Sequence, residues 1–338
     1  MGGYGGIQAT AAIAADALRS VPGVHLDVVE LGTATHGRWA GAAEWAAAGY
    51  AAMQVAWRAD LVVVWHVGLL KLLLPAGLRR QTRVVVFLHG IEAWQLLDPW
   101  SRLLFARRID TWLSNSDYTY ERFAALNRVP ATAGHSVVAL GIGEAAPARS
   151  EPSEPPAAIV VGRLEAAERY KGHRELIEAW PNVGARVPGA QLWVVGDGDL
   201  RPELEQQARS SGVASQVRFW GEVPEETKQD LLRRARASVM PSRAEGFGLA
   251  YVEAMRWGRP CLVSLVDAGR EVVRPPECGL AVDPGDPDAL AAAVVRLLTP
   301  GSEWDAWSAN ARKAYEASFT ERHFRQRLLA ALDLLSGE

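Results

Sequence analysis

The sequence predicts an α/β protein of two domains, each a doubly wound parallel sheet covered by helices. Three observations predict it. Short β-branched runs alternate with helix-length amphipathic stretches, the pattern of strands buried on both faces. The alternation stops at EAAPARSEPSEPP, residues 144–156, and then restarts. The length of 338 residues suits about two domains of ordinary size.

The elements follow in chain order. A glycine-rich opening, Gly2-Gly3-Tyr4-Gly5-Gly6, leads into a helix over 8–19. LVVVW at 61–65, VVVFL at 84–88 and VVAL at 137–140 read as buried strands, with a helix over 117–126. The proline-, serine- and glutamate-rich stretch has no apolar period and reads as a linker, 148–156. Beyond it, strands are expected at 157–161, 191–195, 217–220, 237–240 and 261–264, with helices at 171–187 and 202–211. Alternation of this kind argues for parallel sheets.

Composition narrows the function. Hydrophobic residues make up 49% and charged residues 22%, which excludes a disordered or fibrous chain. The net charge of -3 speaks against a nucleic-acid partner. Two cysteines, Cys261 and Cys278, are too few for a disulfide framework or a cysteine zinc site, and a reducing, cytoplasmic setting is expected. The most apolar stretch, 61–74, is too short for a membrane span and is broken by His66 and Lys71. The chain opens directly on its glycines, so no signal peptide is expected. Residues 1–143 carry a net charge of +2 and the remainder -5. Arg79, Arg80 and Arg83 cluster, as do Arg102, Arg107 and Arg108, near Trp94, Trp100 and Trp112. Solvated faces account for them; the alternative is attraction to anionic headgroups, hence peripheral membrane association at the inner membrane face.

The strongest chemical signal is PSRAEGFGLAYVEAM, residues 241–255, which follows a strand and opens a helix. Glycines admit close backbone approach, and the amides of Gly248, Leu249 and Ala250 would form a helix N-terminus suited to an anion. Glu245 and Glu253 flank that position. Carboxylates repel phosphates, so they suit hydroxyls on either side, on a sugar and a ribose. The plainer alternative is that Glu245 caps a helix and Glu253 faces solvent. A second signal is Gly162-Arg163-Leu164 followed by Arg169-Tyr170-Lys171-Gly172. Arg163 would project from a strand's carboxyl edge and Lys171 would start the next helix, two cations able to neutralise a departing diphosphate. Surface charges flanking a loop are the alternative. His89, directly after 84–88, is placed to touch a substrate, or is a satisfied structural histidine; His66 reads as structural. Asp197 and Asp199 form an Asp-x-Asp pair that invites a metal, but Asp199 reads more simply as a cap for the helix near Pro202. No metal site is expected.

These residues resemble a known family. EGFGLAYVEAM, GRL at 162–164, RYKGH at 169–173, VVGDGDLRPEL at 194–204, RFWGEVP at 218–224 and SVMPSR at 238–243 are similar to segments of the retaining glycosyltransferases of family 4. The likeness covers most of 157–300. It is looser over 1–143, resting there on the glycine-rich opening, FLHG at 87–90, SNSDYT at 114–119 and LGIG at 140–143. The resemblance implies the GT-B architecture, two Rossmann-like domains facing across a cleft. An acceptor domain would span 1–147, with a last helix from Thr320 crossing back onto it, so that 320–338 packs there. A nucleotide-sugar domain would span 157–319. By position, Glu253 would hold the ribose and Glu245 the transferred sugar, with amides at Phe247 and Gly248. Leu249 and Ala250 amides would cradle the phosphates, Arg163 and Lys171 would stabilise the leaving diphosphate, and Trp220 would lie by the base. His89, Gly5 and Gly6 would approach from the other domain. No resident cofactor is implied, the nucleotide-diphosphate sugar being a co-substrate, with a sugar, lipid-linked or small-molecule acceptor. Members begin with a strand ahead of the glycine-rich loop, and only Met1 stands there, so a first strand is expected to be lacking.

Two other classes fit parts of the pattern. A NAD-dependent oxidoreductase would use the N-terminal glycines with Asp27 or Glu30, but those glycines do not follow a strand. A non-catalytic nucleotide-sugar-binding partner subunit would keep the binding residues without turnover.

Overall fold

Parallel pairing joins every strand to its neighbour, so each sheet gathers its strand ends, and the loops that follow them, on one edge. The computed structural model describes residues 6–31, 38–129, 133–146 and 150–335. The chain divides into two compact units, Met1–Ala139 with Arg325–Glu338, and Leu140–Phe324.

The first unit opens with helix α1, Gly6–Arg19, and α2, Arg38–Ala56. Its sheet runs in the order β1 (Leu61–Val64), β2 (Arg83–Leu88), β3 (Thr111–Ser114), β4 (Gly134–Val137). The register pairs Leu61 with Arg83, Val85 with Thr111 and Thr111 with Gly134. Val84 to Leu88 are fully buried, which is why this strand is apolar throughout. Val84, Val86 and Leu88 join Trp112 and Phe123, whose rings lie 4.6 Å apart, in one core. Helices α3 (Pro99–Arg108) and α4 (Asp117–Asn127) carry side-chain caps from Asp98 and Ser116. The expected strand at 137–140 lies three residues earlier, at β4. As the outer strand of the sheet, β4 is composed of Gly, His, Ser and Val and is partly exposed, whereas Val138 and Leu140 are buried only after the chain has left it. Met1–Gly5 lie outside the described residues, so the expectation about a first strand falls there.

Three of the six clustered arginines bond within the chain. Arg79 pairs with Asp60 at 2.8 Å, Arg108 donates to the Arg79 carbonyl, and Arg83 holds Asp333 at 2.7 Å and the Leu332 carbonyl at 3.1 Å. Trp112 is core, while Trp100 is exposed.

The second unit has six parallel strands in the order β10 (Gly279–Val282), β9 (Cys261–Ser264), β8 (Ala237–Val239), β5 (Ala157–Val161), β6 (Gln191–Val195), β7 (Val217–Gly221). The direction of sequence travel reverses between β8 and β5, the position at which doubly wound sheets open a crevice for ligands. Its helices are α5 (His173–Arg186), α6 (Arg201–Ser210), α7 (Glu225–Arg234), α8 (Leu249–Arg256), α9 (Gly269–Val273), α10 (Pro287–Leu298) and α11 (Ser302–Ser318).

The division between units falls at Ala139/Leu140, upstream of the expected linker. Residues 140–146 are tied to the end of α11: the Tyr315 hydroxyl donates to the Ile142 carbonyl at 2.6 Å, Ile142 N–H to the Phe319 carbonyl at 3.0 Å, and Arg312 to the Ala146 carbonyl at 2.8 Å. The polar stretch itself is fastened to the same unit. Fully buried Arg259 donates to Ser150 Oγ at 2.7 Å, Ser153 N–H to the Arg234 carbonyl at 2.9 Å, and Arg236 pairs with Glu154 at 2.5 Å. Composition alone hid these bonds, because backbone groups, serine hydroxyls and ion pairs carry no apolar signature. The last helix, α12 (Glu321–Ala331), begins in the second unit and is assigned to the first from Arg325 onward. There Arg327 donates to the Ala139 carbonyl at 2.7 Å.

Candidate functional site

β5 ends at Val161 and β8 at Val239, the two central strands on either side of the sheet's reversal. The loops that leave them are stitched together. Arg243 N–H donates to the Tyr170 carbonyl at 2.8 Å. Gly172 sits at φ 84°, and a side chain there would meet Pro241 at 2.7 Å, so only glycine lets the loops approach.

Arg163 and Lys171 converge on one carboxylate. Lys171 does not start α5 as expected: it closes a short turn, Ala166–Lys171, and Gly172 separates it from the helix. Its stem crosses Gly162, with Nζ 3.1 Å from where a β-carbon would stand. Nζ pairs with Glu168 Oε2 at 2.5 Å, and Arg163 pairs with Glu168 Oε1. Glu245 stands by the same group. Burial pushes its carboxyl above the ordinary range, Lys171 and the Phe247 and Gly246 amides draw it down, and Glu168 adds to the rise. The Phe247 and Gly246 amides therefore serve Glu245 itself. Phe247 is buried against Phe319, rings 6.2 Å apart.

Gly248, at φ 94°, turns the chain into α8. No side chain caps this N-terminus, and Leu249 and Ala250 open the helix half-buried. Their position follows from the glycine: a β-carbon at 248 would stand 2.3 Å from the Tyr251 ring. In the helix Glu253 does not face solvent. Its Oε1 accepts from Lys228 Nζ at 2.5 Å, and Lys228 also pairs with Glu225 at 2.9 Å. Burial raises the Glu253 carboxyl, against the pull of Lys228. The ammonium of Lys228 is lowered by burial but raised more by Glu253 and Glu225.

Within this unit the other expected residues lie outside this cluster. Trp220 lies near the end of β7, the outermost strand, under Arg218 at 3.7 Å and edge-on to Trp193 at 6.0 Å. It shares the carboxyl edge of the sheet with the loops above. Asp199 does not cap α6; its Oδ1 accepts from Ala166 N–H at 2.7 Å, which braces the turn before Lys171, and the helix starts at Arg201 without a side-chain cap. Asp197 pairs with Arg201 at 2.9 Å. Among the described residues no three histidine, cysteine, aspartate or glutamate side chains gather as a metal-binding group. In the first unit, His89 is buried, stacked on Phe87 at 4.5 Å, with Nε2 2.6 Å from the Trp65 carbonyl. Burial lowers its pKa to about 3, so the ring is neutral at physiological pH. His66 caps a turn through Nδ1. Gly6 opens α1, and Gly5 lies outside the described residues.

The sequence profile described as Glycosyl transferases group 1 matches residues 155–300. A phosphatidyl-myo-inositol mannosyltransferase of Mycobacterium leprae is 37% identical over 141 residues, covering 41% of this chain and 36% of that protein. Against this relative the chain therefore matches about a third of the length. A GDP-mannose-dependent alpha-(1-6)-phosphatidylinositol monomannoside mannosyltransferase of Mycolicibacterium smegmatis is 30% identical over 309 residues, 82% of this chain and 77% of that one. The chain belongs to the group 1 glycosyltransferases. Its fold is GT-B: sucrose-phosphate synthase from Thermosynechococcus elongatus superposes with a TM-score of 0.76 at 19% identity, over 98% of this chain and 94% of that one. No helix among this glycosyltransferase's described residues is long and apolar enough to cross a membrane.

Three residues of this group 1 glycosyltransferase escaped the sequence reading. Glu168 directly precedes Arg169-Tyr170-Lys171-Gly172, an acid set between Arg163 and Lys171. Lys228 lies 25 residues from Glu253 on α7, and nothing local marks it. Asp267, almost fully buried, accepts from Gly269 N–H at 3.0 Å and Glu245 N–H at 3.3 Å. It follows β9, so its link to the Glu245 loop comes from strand order alone.

Proposed function

We propose that the chain is a retaining hexosyltransferase that takes a UDP- or GDP-linked sugar and forms an α-glycosidic bond to an acceptor hydroxyl, without a metal. The observation that carries this is the convergence of Arg163, Lys171 and Glu245 at the sheet's reversal, next to the uncapped start of α8. A diphosphate there gains two cations and a helix N-terminus, an arrangement aimed at charge that develops as the bond to the sugar breaks. In this reading the departing diphosphate takes the proton of the acceptor hydroxyl while the acceptor oxygen bonds to the anomeric carbon on the same face. Glu245 accepts hydrogen bonds from the sugar. A double displacement would need a carboxylate nucleophile, and Glu245 is the candidate. Its carboxyl is raised and hydrogen-bonded by its own loop, which suits a binding group better. Glu253 holds the ribose hydroxyls, oriented by Lys228. His89, neutral and anchored through Nε2, offers Nδ1 as an acceptor.

The name of the M. smegmatis relative supports GDP-mannose and a lipid-linked acceptor; a UDP-sugar with a sugar acceptor is the competing pair. The test is calorimetric titration with UDP, GDP and NAD in parallel, with and without chelator, using Glu253→Ala as control. Binding of UDP or GDP that survives chelator and is lost in Glu253→Ala is expected. Binding of NAD alone defeats the reading. Analysis of the product's anomeric configuration then tests retention.

A further inference from the structure

Glu168 touches both cations of the site. Its side chain is 9% exposed, and it meets Lys171 Nζ at 2.5 Å through one oxygen and Arg163 through the other. The backbone is bent to allow this: Glu168 has φ -111° and ψ 21°, out of the helical range inside its turn. Asp199 braces the same turn from outside through Ala166 N–H.

This placement is odd for a site built only to hold a diphosphate. Glu168 occupies both cations, one oxygen on each. An incoming diphosphate has to displace it, and a carboxylate held beside the phosphates opposes their charge. A residue that merely filled space could be apolar or an amide. Resting on the nucleotide-sugar reading above, we propose that Glu168 is a positioning residue that competes with the diphosphate for Arg163 and Lys171. It keeps both cations in place when the site is without donor, and reclaims them when the nucleoside diphosphate leaves. The consequence is weaker product binding and faster release than two unopposed cations would give.

The experiment compares wild-type protein with Glu168→Gln by titration and stopped-flow release of GDP and UDP, with thermal melting as the control for folding. The amide keeps the shape and removes the charge. Glu168→Gln is expected to bind the nucleoside diphosphate about 3- to 10-fold tighter, with the change in the dissociation rate. A purely structural role would loosen the site and weaken binding. Unchanged or weaker binding in a folded variant therefore overturns the proposal. If Glu168→Gln does not fold, Glu168→Asp, which withdraws the carboxylate by one methylene, is measured instead: tighter binding is expected and unchanged or weaker binding overturns. Wild-type protein that binds neither nucleotide overturns the functional reading and this inference together. Wild-type binding without tightening overturns this inference alone.

Discussion

Asp267 couples the site to pH. Burial pushes its carboxyl up to about 7, with Glu245 adding to the rise, while an unfolded aspartate titrates near about 4. Between those values the folded protein holds a proton that the unfolded chain has released. The contribution of this group to stability is therefore full below about pH 4, falls as pH rises, and is gone above about 7. Thermal midpoints of the wild type are expected to decline across this window, and Asp267→Asn to flatten the decline; equal slopes would defeat the assignment. The Lys228–Glu253 pair makes a second prediction. Lys228→Met leaves a largely buried carboxylate without its partner and should cost about 2–4 kcal/mol in urea unfolding, whereas Lys228→Met with Glu253→Gln should recover most of it. Equal losses in single and double variants would show that the pair is not coupled. Arg163, Lys171, Glu245 and Glu253 were legible as candidates because strand ends and a glycine-marked helix start announce them locally. Lys228 was not, because a salt bridge across 25 residues leaves no periodicity to read.

The elements were legible in proportion to their burial. β2 and β5 bury nearly every side chain, so an unbroken apolar run gave them away. β4, on the rim of its sheet, is written in glycine, histidine and serine, and the apolar run that follows it drew the reading three residues too far. Lys171 was assigned to α5 because helical propensity runs through it; the left-handed Gly172 decides otherwise. The entrance to α8 allows a sharp test. Gly248→Ala forces a β-carbon into a left-handed turn and against the Tyr251 ring. The cost should exceed about 1 kcal/mol, with the larger effect on nucleotide affinity, since the helix start must shift. A variant with wild-type affinity would show that the opening of α8 is not the phosphate seat.

For the whole molecule, the two units predict unfolding that is not two-state, each unit having its own core. Removing residues 325–338 strips Arg83 of Asp333 and of the Leu332 and Ala331 carbonyls, and Ala139 of Arg327. Hydrogen exchange in the shortened chain should quicken across 6–139 and stay unchanged across 150–320; a uniform change would contradict this partition. Two α/β units were legible from alternation, but their frontier was not, because composition reports solubility and not attachment. That matters for anyone recombining such proteins. The proline-rich stretch looks like the natural place to cut and rejoin, yet it is riveted by Arg259, Ser153 and Arg236 to the unit that follows. A chimera that exchanges N-terminal halves should keep 140–156 with its downstream neighbour and place the seam between Ala139 and Leu140. A seam inside 150–154 would take from the buried Arg259 guanidinium the Ser150 oxygens it donates to, and the loss would fall on folding rather than on catalysis.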